Sequence, residues 1–93
     1  MKIVINDCYG GFGLSEAAYK ELGVAWDGFG YGWSDAEKRA DQRLVAVVEK
    51  LGSEAASGRL AQLKIVNIPR GVEWEIEEYD GIETVREKSR TWR

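Results

Sequence analysis

Gly10, Gly11 and Gly13 bracket Phe12 between an apolar β-branched run and a segment of helical pattern. Backbone N–H groups in a strand-to-helix turn can cradle a phosphate, helped by the dipole of the following helix. The spacing matches neither GxxxxGK[ST] nor a properly flanked GxGxxG, so the same glycines also fit a plain tight turn under Phe12. Further on, VAWDGFGYGW alternates glycine with Phe29, Tyr31 and Trp33, and Trp26 precedes them. Flat rings of this kind suit base stacking, worth about 1–3 kcal/mol per base. In a small domain they more often build a satellite core or a subunit interface. Arg86, Arg90 and Arg93 close the sequence. Guanidinium forks match phosphate oxygens bidentately and stack on bases, so convergence of a few would recognise a nucleotide. A solvated tail pairing with the acidic strand before it is the plain alternative. Arg39, Arg43, Arg59 and Arg70 would join only if the fold or a neighbouring subunit brought them together.

Composition removes other chemistries. The 93 residues contain one cysteine and no histidine. Cys8 therefore has neither a disulfide partner within the chain nor an imidazole to activate it, and a His-based metal centre or general base is excluded. Cys8 reads as a reduced, buried small hydrophobe. Carboxylates could act as acid and base or chelate magnesium. Yet Glu73, Glu75 and Glu77 alternate on a strand face that reads as solvated, so no catalytic residue, metal or cofactor is expected. Apolar runs are too short to cross a bilayer, and the sequence leads straight into a strand rather than a signal peptide. A soluble protein that stays where it is made is expected.

These groups must be positioned by few elements. A chain of this length is one domain, 1–93, and buries only about 60–65% of its unfolded surface, which favours association of subunits. Residues 2–7 (KIVIND) read as a buried strand, and Ser15 as the N-cap of a helix running to Leu22 that Gly23 ends. Residues 24–33 read as an edge strand or ordered loop. From Ser34 or Asp35 a helical pattern runs to Gly52 with Leu44, Val45, Val47, Val48 and Leu51 as its apolar face and Arg39 and Arg43 on another. Ser53 to Gly58 read as a short added helical turn. Residues 63–68, 72–79 and 82–87 complete the strands, the last two joined by Asp80-Gly81, a favoured hairpin turn. The predicted fold is α+β: one mixed or antiparallel sheet of about four strands with helices on one face.

The formal net charge of -3 is unevenly spread. Glu73, Glu75, Glu77, Glu78, Asp80 and Glu83 place six acids and no base in residues 73–83. Arg86, Lys88, Arg90 and Arg93 stand against Glu87 alone in residues 86–93, four cations to one acid. Pairing across a hairpin explains this segregation structurally. Mild overall acidity with cations gathered at one end also suits a small anion and disfavours DNA, RNA and membranes.

Several stretches carry a resemblance: KIVINDCYGGFGLSEAAY, RLVAVVEKLG, LKIVNIP, VEWEIEEYDGIETV and EKSRTW. Together, over nearly the whole chain, they resemble the first family of phage anti-Thoeris proteins, which act as sponges for signalling nucleotides. The resemblance implies a non-catalytic, anti-defence protein of the host cell cytoplasm. It would sequester cyclic ADP-ribose isomers made by bacterial TIR-domain enzymes, and in some members cyclic oligonucleotides. It further implies homodimers that assemble into hexamers, with pockets between subunits that use arginines for phosphates. Those arginines map here to Arg86 and Arg90, with Arg39 assisting; Arg59 and Phe12 are added as pocket-lining candidates. The family often has a histidine before the last of these arginines, in a stretch like EKHRTW, where this chain has Ser89. Some members also use an acidic residue near the position of Thr84. The rival expectation is an acidic protein–protein inhibitor that covers a basic surface on a host factor.

Overall fold

The structure is a computed structural model that describes residues 1–88. Its first sheet pairs β1 (Lys2–Asn6) antiparallel with β2 (Leu63–Asn67), with Lys2 opposite Asn67 and Asn6 opposite Leu63. Ile3, Val4 and Ile5 are all buried, as a strand apolar on both faces requires. The chain then turns through the glycine loop into α1 (Glu16–Leu22). Ser15 caps this helix by accepting from the Ala18 N–H, and Gly23 ends it at a left-handed φ of 75°.

Residues 24–33 form an ordered loop. The helical pattern expected to run unbroken from residue 34 or 35 is divided. Ala36–Ala40 make a 3-10 turn, and Asp41 restarts the chain as the N-cap of α2 (Gln42–Leu51), its carboxylate accepting from the Arg43 N–H. An extended Asp41, with ψ 127°, cannot continue a helix, and its side chain satisfies the new N-terminus. Leu44, Val45, Val47 and Val48 are the buried face of α2, and Gly52 separates it from the four-residue α3 (Ser53–Ala56). The core joins Val4, Leu14, Tyr19, Trp33, Leu44, Val48 and Leu63 among others, so α1, α2 and the first sheet share one apolar interior.

The second sheet is a hairpin of β3 (Trp74–Tyr79) and β4 (Ile82–Glu87). Asp80 and Gly81 turn it with φ of 50° and 92°, the double left-handed geometry that a two-residue turn of this hand demands. All four expected strands therefore exist, in an α+β fold, but they pair as two separate two-stranded sheets rather than as one sheet. The reason lies on the outer edge of β1. Glu83 Oε1 accepts from the Asn6 N–H at 2.8 Å, and Arg39 Nη1 donates to the Val4 carbonyl at 3.3 Å. Side chains thus take the edge groups to which another strand would bond.

Candidate ligand-binding cleft

Three glycine-bearing segments far apart in sequence meet around a cleft of about 560 Å³. They are residues 11–16, residues 26–31 and residues 57–61. The Leu14 N–H donates to the Gly30 carbonyl and the Gly58 N–H to the Gly13 carbonyl, each at 2.9 Å. Ser15 N–H adds a bond to the Ala56 carbonyl at 2.9 Å. Such close backbone approach is what excludes side chains here: a methyl group built at Gly30, already at φ 89°, would overlap the Leu14 carbonyl. The cleft's size falls within the roughly 300–1,000 Å³ usual for small-molecule sites.

One wall is aromatic. Trp26, Phe29 and Tyr31 line the cleft while remaining 39%, 75% and 54% exposed. The Tyr31 ring lies on Gly13, whose added Cβ would come within 3.3 Å of it. Below the wall, the buried Tyr19 meets Trp26 edge-on with ring centroids 5.1 Å apart. Asp27 binds the wall together. Its Oδ1 accepts from the Phe29 and Gly30 N–H groups at 2.8 and 2.6 Å, and its Oδ2 from the Tyr19 hydroxyl at 2.7 Å and the Gly32 N–H at 3.1 Å. The Gly30 and Phe29 amides, followed by the tyrosine hydroxyl, pull the Asp27 carboxyl down to about 2. Burial, reinforced by the bond to Asp27, pushes the Tyr19 phenol up to about 12.

The expected site residues separate. Arg59 lines the cleft and is exposed, and among the described residues Glu16 is the one carboxylate in the lining. Phe12 does not line it. This ring is 7% exposed and turned into the core, where the Arg39 guanidinium stacks on it 3.6 Å from the centroid. Arg39, expected on a helix face other than the apolar one and as an assisting phosphate contact, is itself 3% exposed. It grips Glu83 through two bonds of 2.6 and 2.8 Å and donates from Nε and Nη2 to the Ser34 carbonyl. With its donors so occupied and water excluded, Arg39 serves as a structural cation that ties the hairpin to the core. Arg86 sits on the exposed face of β4 and bonds Glu77 at 2.7 Å, with Glu75 at 3.6 Å, as cross-strand pairing anticipates. Glu77 first, and Glu75 with it, raise the Arg86 pKa. Arg90 lies outside the described residues.

Sequence reading missed the roles of Asp27, Tyr19 and Glu83. Asp27 was signalled by Asp-Gly-Phe-Gly, since aspartate readily accepts from backbone amides two and three residues onward. Glu83 carried a fainter signal: it shares its strand parity with the half-buried Val85 rather than with the outward Arg86. Cys8, read as buried, is partly exposed, its thiol 3.1 Å from the Leu60 carbonyl. Among the described residues no group of three or more His, Cys, Asp or Glu side chains is placed to hold a metal ion. No helix among them is long and apolar enough to cross a membrane.

Fold and site together define a small α+β domain with an aromatic-walled cleft built within one chain. No protein-family model, curated protein or solved structure matches the chain.

Proposed function

We propose that this protein binds and sequesters a cyclic nucleotide immune signal without cleaving it, as an anti-defence protein of a phage acting in the host cell cytoplasm. The observation that carries this reading is the cleft: three outward aromatic rings and the exposed Arg59 around about 560 Å³. Aromatic faces suit the base, and a guanidinium at the rim suits a phosphate. Large apolar rings held in water are costly unless something covers them, which favours a binding surface over a passive loop. Among the described residues the lining offers one guanidinium and one carboxylate, Arg59 and Glu16. The hydroxyls of Ser15 and Ser57 donate to the Ala55 and Ser53 carbonyls. That set suits retention better than acid–base turnover. Glyco-cyclic ADP-ribose isomers are the favoured ligands, and cyclic di- or trinucleotides the next.

In this reading Arg86 exchanges its exposed bonds to Glu77 and Glu75 for ligand phosphate, and Arg90 adds a second fork. Homodimers, joining further into hexamers, would bring those cations to a shared pocket. The half-buried Trp74, Ile76 and Val85 on the hairpin supply apolar surface for such contacts. Titration with TIR-derived cyclic ADP-ribose isomers and with cyclic di- and trinucleotides, followed by tryptophan fluorescence, tests the assignment. Arg59→Ala is expected to weaken binding about tenfold to a hundredfold, the worth of one charge-assisted contact. The double variant Arg86→Ala, Arg90→Ala should abolish binding with the fold intact. Unchanged affinity in both would reject the assignment. A host protein that instead needs Glu73, Glu75 and Glu77 for binding would favour the acidic inhibitor.

A further inference from the structure

Residues 26–31 keep three large rings, Trp26, Phe29 and Tyr31, exposed while only Gly30 among them is buried, an arrangement that a slack loop would lose by folding its rings inward. What prevents this is the backbone between the rings. The Phe29, Gly30 and Gly32 amides all point at the Asp27 carboxylate. The Tyr19 hydroxyl donates to the same carboxylate and accepts from the Gly32 N–H at 2.9 Å. Tyr19 is 3% exposed, so the tether runs from the core to the wall. The Gly30 carbonyl, accepting from the Leu14 N–H, fixes the loop to the opposite side of the cleft.

Resting on the reading of the cleft as a nucleotide site, we infer that Asp27 is its positioning residue: the carboxylate holds Trp26, Phe29 and Tyr31 as a rigid wall for the flat face of a nucleobase before any ligand arrives. The ordering of three rings is then complete in the free protein, and the ligand does not bear that entropy. Asp27 need not touch the ligand, since its oxygens are bonded to the chain. Arg59, which also lines the cleft, remains for the phosphate.

The test compares wild type with Asp27→Asn, using backbone amide exchange of the free protein and titration with cyclic ADP-ribose. In the variant the Phe29, Gly30 and Gly32 amides should exchange about tenfold faster or more, with the Ile3 and Ile5 amides of β1 unchanged. Affinity for cyclic ADP-ribose should fall about tenfold to a hundredfold, chiefly through faster dissociation. Saturating cyclic ADP-ribose should restore protection of the loop amides in the variant, a response that a purely structural role would not give. Loop amides that exchange alike in both proteins would overturn the inference, as would equal affinity despite a loosened loop. If wild type binds neither cyclic ADP-ribose nor cyclic di- and trinucleotides while Asp27→Asn still loosens only the loop, the positioning of the wall is upheld and the nucleotide reading fails.

Discussion

Among the described residues, Asn6, Arg39 and Glu83 are the buried polar ones, and they form one network. Removing one member of a buried pair strands the other's charge in the interior, at a cost of about 3–5 kcal/mol. Glu83→Ala and Arg39→Ala are each expected to lose stability on that scale in urea denaturation. Replacing both with apolar residues of similar volume, Arg39→Met with Glu83→Leu, should cost less than either single change, because no unpaired charge remains. A double variant as unstable as the sum of the singles would contradict this account of the pair. Asp27 and Tyr19 give the pH dependence its sign. The Asp27 carboxyl, lowered from 3.8 to about 2, contributes stability that is complete above pH 3.8 and is lost as pH falls through about 2. The Tyr19 phenol, raised from 10.0 to about 12, contributes stability that is complete below pH 10.0 and is lost as pH rises through about 12. Thermal melting of wild type and Asp27→Asn should therefore differ most above pH 3.8 and converge near pH 2, whereas Tyr19→Phe should converge with wild type only above pH 12. A gap that does not change with pH would remove the carboxylate from the explanation.

At the scale of elements, the cleft depends on a few backbone approaches that only glycine permits. Gly28 and Gly30 share a φ of 89°, yet nothing lies within 4 Å of a Cβ built at Gly28, while one built at Gly30 overlaps the Leu14 carbonyl. Gly28→Ala should cost only left-handed strain, about 1–2 kcal/mol. Gly30→Ala should cost more and should also abolish ligand binding, because the aromatic wall must swing off Leu14. Equal melting temperatures for the two variants would refute the close contact. Much at this scale was readable in the sequence. Ser15 and Gly23 marked the ends of α1, Asp80-Gly81 marked the hairpin, and the alternation of Glu75 and Glu77 with Ile76 foretold the cross-strand bonds of Arg86. Each is a local rule with a local cause. What escaped reading is long-range. The 3-10 turn before α2 puts Arg39 inward, where Glu83 and the Val4 carbonyl await it, and this same contact closes the edge of β1 against a four-stranded sheet. No periodicity within 93 residues announces a pairing 44 positions apart. The cleft was legible in pieces, as a glycine loop, an aromatic run and Arg59, because composition shows what a segment offers but not which segments meet.

At the scale of the whole molecule, a body of 47 × 26 × 19 Å presents exposed aromatics around one cleft and an acidic hairpin crossed by Arg86. So small a chain closes its interior with an ion pair and short helices, and has little apolar interior to spare for a moving lid. The proposed sequestration asks such a body to hold a ligand rather than to process one. The most direct measurement is to mix purified protein with the cyclic ADP-ribose isomers made by a TIR-domain enzyme and with cyclic di- and trinucleotides. After unbound material is washed away, the protein is denatured by heat and the released compounds are identified by mass spectrometry. Release of one of these nucleotides with its mass and its activity toward the immune effector unchanged is the predicted result. Recovery of a cleaved product, or of none of the nucleotides, would contradict sequestration.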